Sequence, residues 1–235
     1  MVQFTLSTGF PGSWLACCLV IKFEGVAKIR VGCVAALHLS PGYRALFFGS
    51  EQVFLTRSFL RLILIVVMDK RLHLIFSRRS VREYTAERIE ERDIIALLEA
   101  GMAAPSANNR RPWHFVVITE KPRLKKLAEI HPHGQMLNQA ALAIAVCGDK
   151  TVAPDFWVQD CSAATENILI AAAMLGLGAV WLGVHPREQR ENELRTALGI
   201  PASVGLLCLI AIGKPKIKPE PRTQFDSSRI HYEQW

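Results

Sequence analysis

The chain has 235 residues, of which 50% are hydrophobic and 21% are charged. This composition is too apolar for a disordered protein and too mixed for a polytopic membrane protein. Lysine and arginine total 28 against 21 acidic residues, and the resulting net charge of +7 permits an anionic ligand without specifying one. The apolar run Leu62–Met68 is far shorter than the ~20 residues that a membrane helix needs. We therefore predict no membrane span.

The six cysteines form no CxxC pair and no Cys/His spacing typical of a zinc site. Cys147 and Cys208 lie inside apolar runs, where a free cysteine behaves as a small hydrophobic residue. No positively charged segment precedes the apolar stretch Trp14–Ile21, so a secretory signal is not predicted. These features predict reduced core cysteines in a cytoplasmic protein.

The sequence changes character near Met68. Residues 1–67 carry six Lys/Arg and two Asp/Glu, and they show no sustained helical or alternating pattern. We interpret residues 1–67 as an N-terminal extension or the product of a mis-assigned start. A small accessory domain is the alternative. In either case residues 68–235 are predicted to form the functional domain.

Helices and strands alternate irregularly after Met68, which predicts an α+β or mixed α/β fold. An apolar stripe at helical spacing, followed by Pro105, predicts one helix; its members are Ile94, Leu97, Leu98, Gly101 and Met102. The other predicted helices are Asp69–Phe76, Pro122–Ile130, Val158–Leu175, which ends at Gly176 and Gly178, and Arg187–Leu198, which ends at Gly199. The predicted strands are His114–Thr119, Ala141–Cys147, Ala179–Val184 and Gly205–Ile212.

An arginine-rich segment directly follows the first of these helices. Residues 77–82 read SRRSVR and contain three guanidinium groups and two hydroxyl groups. Arginine binds phosphate oxygens through a planar, bidentate fork, so this segment is a candidate anion site. A solvated basic surface is the equally plausible alternative.

A second motif, APSANNRRPWHF at residues 104–115, joins a predicted helix to a predicted strand. Pro105 and Pro112 stiffen this loop, and Ser106, Asn108 and Asn109 offer short polar groups to the edge of a heterocycle. Loops on a rigid scaffold often carry function. An ordinary helix-to-strand turn would have a similar composition.

Together the two motifs resemble the nitroreductase family of FMN-dependent oxidoreductases. Three later segments agree with this resemblance in the same order: GLGAVWLG at 176–183, LLCLIAIGKP at 206–215 and the tail PEPRTQFDSSRIHYEQW at 219–235. The resemblance covers residues 68–235. It implies an α+β fold in which helices wrap a central mixed sheet, and a homodimer with FMN at the subunit interface.

The resemblance also implies roles for individual residues. The FMN phosphate, ribityl chain and pyrimidine edge would be bound by Arg78, Arg79, Ser80 and Arg82, with Arg222 returning to the phosphate. The flavin would be lined from the partner chain by Pro105, Ser106 and Ala107, with a hydrogen bond from Asn109 to the ring. Leu182 and Gly183 would bring backbone close to the flavin.

Two positions depart from the family pattern. The family usually has glutamine where this chain has Arg111, and a basic residue where it has Gln224. Arg111 would add positive charge near the flavin ring or point to solvent. Gln224 would weaken the hold on the phosphate.

The resemblance implies that FMN passes electrons from NAD(P)H to a nitroaromatic, a quinone or a similar flat electrophile by a ping-pong mechanism. We assign no catalytic side chain, because the flavin would supply the reactive atom. The alternatives are a specialised member that cleaves flavin or removes a halogen, and a flavin-binding protein without turnover. The charge is spread along the chain with little aromatic interleaving, so no nucleic-acid partner is predicted. His131 and His133 are predicted to be exposed loop residues and not metal ligands.

Overall fold

The computed structural model describes residues 72–235 and three short strands that precede them: β1 (Val2–Phe4), β2 (Leu19–Glu24) and β3 (Lys28–Gly32). The chain divides into two units, Met1–Ile65 and Val66–Trp235. In the first unit β2 pairs antiparallel with both β1 and β3. Most of the predicted extension lies outside the described residues, and its interpretation as an upstream segment stays a prediction.

Among the described residues, the second unit contains the helices and the larger sheet. Its helices are α1 (His73–Ser77), α2 (Glu91–Met102), α3 (Lys121–Ile130), α4 (Trp157–Met174) and α5 (Glu188–Leu198). Its strands are β4 (Trp113–Ile118), β5 (Leu142–Asp149), β6 (Gly178–Gly183) and β7 (Val204–Gly213). They form an antiparallel sheet in the order β4-β5-β7-β6, and Ser80 adds one parallel bridge to β6. The predicted α+β class is confirmed.

The sheet is buried on both faces. Alternate residues of β5 enter two different hydrophobic clusters: Leu142, Ile144 and Val146 pack with residues of α2 and α4, whereas Ala143, Ala145 and Cys147 pack with residues of α3 and α5. This arrangement explains why the two central strands read as continuous apolar runs instead of alternating patterns. The helices therefore form a layer on each side of the sheet.

Glycines end two of the helices as predicted. Gly176 follows α4 with φ of +70°, and Gly199 follows α5 with φ of +68°. Each permits hydrogen bonds back to the last helical carbonyls, from Leu177 to Ala172 and from Ile200 to Arg195. With the bonds from Gly176 to Ala173 and from Gly199 to Thr196, they complete a Schellman motif at each end, where glycine adopts the left-handed backbone without the penalty of a Cβ atom.

A pair of glycines on the two central strands receives the indole ring that begins α4. Gly148 of β5 and Gly205 of β7 are direct partners across the sheet. A Cβ atom at either position would lie 2.7 or 2.6 Å from the ring of Trp157. The two glycines therefore allow the ring of Trp157 to pack directly on the backbone of the sheet. Trp157 is 7% exposed and holds the first turn of α4 against the sheet.

The described cysteines are core residues. Cys147, Cys161 and Cys208 are buried and free, and burial raises the pKa of the first two thiols to about 12. The prediction for Cys147 and Cys208 is thereby confirmed. Cys17, Cys18 and Cys33 lie outside the described residues. Among the described residues, no helix combines the length and the apolar character needed to cross a membrane.

Candidate active site

The arginine-rich segment leaves α1 and runs beside the first half of β6. The backbone N–H of Val81 donates to the carbonyl of Ala179 at 2.9 Å. A Cβ on Gly178 would meet the Val81 side chain at 2.7 Å, so this close approach requires glycine at the start of β6. The segment continues to Tyr84, whose buried hydroxyl donates to the carbonyls of Val81 and Ala211 at 2.6 and 3.0 Å. The segment is therefore fixed to the core on both sides of Arg82.

The C-terminal tail returns to the same segment. The Nη1 atom of Arg79 donates to the carbonyl of Glu220 at 2.6 Å, and the N–H of Arg222 donates to the carbonyl of Phe76 at 3.0 Å. More than 130 residues of chain separate these partners. The structure therefore brings Arg222 to the neighbourhood of Arg78 and Arg79.

The cationic groups of this cluster differ in their surroundings. Arg78 forms an ion pair with Glu166 of α4, with 3.1 Å between Nε and Oε1. Burial raises the pKa of Glu166, and the Arg78 charge acts against that rise. Arg82 and Arg222 are exposed, and within residues 72–235 no hydrogen bond or ion pair engages either guanidinium group. Two arginines thus remain available to an anion.

The loop between α2 and β4 adopts an unusual backbone. Asn108, Asn109 and Arg111 have φ of 52°, 54° and 49°, a left-handed region that residues other than glycine rarely occupy. Such conformations cost on the order of 1–3 kcal/mol each and persist where the surroundings enforce them. One restraint is internal, because the Ser106 hydroxyl accepts a hydrogen bond from the N–H of Arg111 at 2.9 Å.

The second restraint on this loop is Asp160, which the sequence analysis missed. Its Oδ1 accepts a hydrogen bond from the N–H of Ala107 at 2.9 Å, and the residue is only 5% exposed. Its Oδ2 is buried and has no hydrogen-bond partner among the described residues. The available signal was an aspartate in the first turn of a long helix, a pattern that equally fits a favourable helix-dipole contact.

The C-terminal end of β6 holds the remaining predicted residues. Leu182 is buried, whereas Gly183 is exposed and has no atom within 4 Å of the place where a Cβ would stand. The Gly183 carbonyl accepts hydrogen bonds from His131 Nε2 at 3.0 Å and from Arg190 Nη1 at 2.9 Å. The prediction that His131 is exposed was wrong, because this bond draws the ring inside to 2% exposure. His133 is exposed as predicted.

The predicted residues are spread along a surface of the domain. Ser80 pairs with Ala179, four residues before Gly183, which corresponds to about 13 Å along the strand. The 105–109 loop contacts α4 at Asp160 and the arginine segment contacts it at Glu166, about 9 Å further along the helix. Two open grooves of about 410 and 470 Å³ lie between α3 and α5, outside the predicted set.

The two departures from the family pattern lie on the surface. Arg111 is exposed, and its Nε donates to the carbonyl of Asn109 at 3.4 Å, within its own loop. Gln224 is an exposed residue of the tail, two positions after Arg222. Their effect on a bound flavin stays a prediction.

Comparison with known proteins decides the family. The Nitroreductase family model matches residues 75–142 and 131–214. A protein of Archaeoglobus fulgidus named "Putative NADH dehydrogenase/NAD(P)H nitroreductase" is 47% identical over 174 residues, which are 72% of this chain and all of the relative. The chain belongs to the nitroreductase family. The recognition from sequence is confirmed, and the protein is an NAD(P)H oxidoreductase of that family.

Solved structures agree with this nitroreductase assignment. A protein of the same name from Bacteroides thetaiotaomicron has a TM-score of 0.69 and 41% identity, over 72% of this chain and 100% of that one. An FMN-dependent nitroreductase from Clostridium difficile has a TM-score of 0.67 and 28% identity, over 70% of this chain and 99% of that one. The nitroreductase fold thus covers about 70% of this chain.

Proposed function

We propose that this nitroreductase-family protein binds FMN and passes electrons from NAD(P)H to a flat electrophile such as a nitroaromatic or a quinone, as a cytoplasmic homodimer. The observation that carries the proposal is the return of the C-terminal tail to the arginine segment. This return places Arg222, from the C-terminal tail, near Arg78 and Arg79, which come from the start of the domain and lie beside β6. The FMN-dependent relative from Clostridium difficile supports the choice of cofactor.

The phosphate end of FMN would lie at this arginine cluster. Within residues 72–235, the guanidinium groups of Arg82 and Arg222 have no partner, so Arg222 would bind the phosphate and Arg82 the pyrimidine edge; Ser80, two positions before Arg82, is also exposed. Arg79 is oriented by its bond to the tail and Arg78 by its bond to Glu166, which leaves further N–H groups on each fork. Arginine forks suit phosphate oxygens because two parallel hydrogen bonds form at once.

The ring end of FMN would lie at Leu182 and Gly183. A flat ring needs backbone that it can approach closely, and the open space above the Gly183 Cα provides this. The Pro105–Asn109 loop would cover the flavin of the partner subunit, with Ser106 and Ala107 lining it and Asn109 bonding its edge. The enforced left-handed backbone at Asn108 and Asn109 fits a loop held ready for a ligand.

Exposed apolar side chains support the homodimer. Leu72, Leu74 and Ile75 in and beside α1 are between 43 and 54% exposed. The tail adds Phe225, Tyr232 and Trp235, which are 71–101% exposed. We infer that these groups belong to an interaction surface, which a second copy of the chain would cover.

The chemistry follows from what the chain's residues can do. FMN, when bound, supplies the atom that accepts hydride from NAD(P)H and the electrons for the acceptor. Arg82 would lie at the pyrimidine edge of the ring, where its positive charge would stabilise the negative charge that develops on the reduced flavin. The open surface at Gly183 would admit the nucleotide and then the acceptor in turn, which is the ping-pong order.

Replacing Arg222 with glutamine tests the phosphate assignment. We expect FMN to bind roughly tenfold or more weakly, because one charge-assisted hydrogen bond contributes about 1.5–3 kcal/mol. Riboflavin, which has no phosphate, is expected to bind both proteins equally. Fluorescence titration with each flavin measures the two affinities.

Arg229→Gln is the matched control, since Arg229 lies in the same tail but pairs with Asp226 at 3.1 Å. It is expected to bind both flavins as the unaltered protein does. An equal loss of FMN and riboflavin affinity in Arg222→Gln would contradict the phosphate assignment.

A further inference from the structure

The buried histidine at the end of α3 is tied to the one exposed glycine of β6. His131 Nε2 lies 3.0 Å from the Gly183 carbonyl oxygen, and the N–H of His133 donates to His131 Nδ1 at 3.2 Å. Because Nδ1 accepts a hydrogen bond, the ring proton resides on Nε2, which donates to Gly183. Both ring nitrogens are therefore satisfied by a neutral imidazole.

The bond to His131 fixes a peptide plane and not merely one atom. The Gly183 carbonyl receives a second donor from Arg190 at 2.9 Å, which occupies its remaining lone pair. The N–H of the same peptide, on Val184, donates to the carbonyl of Leu207 at 3.1 Å. Glycine has no side chain to restrict its rotation, so these three hydrogen bonds hold the plane in place.

A protonated ring would break this arrangement. The charged ring carries a hydrogen on Nδ1, so Nδ1 could no longer accept the hydrogen bond from the N–H of His133. The two N–H groups would then repel each other. Burial lowers the pKa of His131 below its ordinary 6.5 and outweighs the hydrogen bond to Gly183, which acts to raise it; the charges of Arg190 and His133 lower the pKa further. Further charged groups line the adjacent groove with Ile130 and Pro132: Arg187, which precedes α5, and Glu188 and Glu193 of α5.

We propose that His131 is a positioning residue that, as the neutral imidazole and together with Arg190, holds the Gly183 peptide in the orientation that meets the flavin ring. The proposal rests on the proposed function, because it takes Gly183 as the flavin contact. His131 itself touches neither flavin nor substrate. It acts through the backbone of the residue that does.

The first test is anaerobic stopped-flow reduction of FMN bound to the full chain, by NADH or NADPH, between pH 7.5 and 5. In the unaltered protein the rate is expected to fall as the pH drops below the lowered pKa of His131. His131→Leu removes both hydrogen bonds and is expected to reduce the rate roughly three- to tenfold at pH 7.5 and to shift the flavin absorption band. His131→Gln retains a donor that does not titrate, so it is expected to restore the rate and to abolish the acid decline.

His133→Gln is the matched control in the same loop, because His133 is exposed and bonds through its backbone. It is expected to keep the rate at pH 7.5 and to keep an acid decline, which moves to a slightly higher pH because the charge of His133 no longer lowers the pKa of His131. An unaltered rate and spectrum in His131→Leu, or an acid decline that persists in His131→Gln, would overturn the proposal. If His131→Leu does not fold, the pH profile of His131→Gln decides alone. If the unaltered protein binds no FMN, the proposed function fails first, which distinguishes the two failures.

Discussion

Replacing Gly205 with alanine is expected to lower the free energy of unfolding by about 1–3 kcal/mol, the range found for overpacked cores. The added Cβ would lie 2.6 Å from Cη2 of Trp157 and within 3.0 Å of two further ring atoms. The ring also packs on Gly148 and contacts the His185 ring with centroids 4.9 Å apart, so a shift of the ring would disturb these contacts as well. Thermal unfolding is expected to shift downward by about 2–4 °C per kcal/mol for a domain of this size.

Gly183→Ala is the matched glycine control for stability. No atom lies within 4 Å of its Cβ position, so the folded protein is expected to be at least as stable as before, because alanine loses less entropy than glycine. Calorimetry of the flavin-free proteins measures both variants. Equal melting temperatures for Gly205→Ala and the unaltered protein would show that the packing of Trp157 on the sheet does not require glycine at position 205.

Replacing Asp160 with alanine is expected to weaken FMN binding by roughly tenfold or more, in keeping with the loss of a hydrogen bond to a charged group. The carboxylate holds the N–H of Ala107 at 2.9 Å and thereby anchors a loop with three left-handed residues. Without this anchor the loop is expected to relax toward ordinary backbone conformations. The alanine variant must be compared with the unaltered protein by flavin titration.

Two variants define the specificity of that effect. Asp160→Asn retains an acceptor for Ala107 and is expected to lose less affinity than the alanine variant. Asp155→Ala makes the same chemical change at an exposed position just before α4 and is expected to bind FMN normally. If Asp160→Ala binds FMN as tightly as Asp155→Ala does, then the loop does not need its anchor.

Local patterns predicted the elements of the fold well. Helix α5 begins one residue after its predicted start and ends at its predicted residue, and α4 is shifted by one residue at each end. Apolar periodicity and a glycine after the last helical turn depend on neighbouring residues only, so they predict the position and the ends of a helix from the sequence. The strand order β4-β5-β7-β6 and the facing of Gly148 and Gly205 depend on contacts between distant segments, which no local pattern records.

The candidate site was predictable only where its residues form motifs. The arginine segment and the 104–115 loop stand out by composition, and Arg222 entered through family resemblance. Asp160 and His131 were missed because a single polar residue in a helix or loop reads as solvent-exposed. Each is buried by one partner from elsewhere in the chain, Ala107 for Asp160 and Gly183 for His131.

The most direct test of the account is the absorption spectrum of the purified full chain supplied with FMN, recorded without oxygen before and after addition of NADH or NADPH. We predict that the protein retains a yellow flavin chromophore through desalting and that the reduced nucleotide bleaches it. A protein that retains flavin but is not bleached would contradict the oxidoreductase activity proposed for this site. A protein that retains no FMN would contradict the site itself.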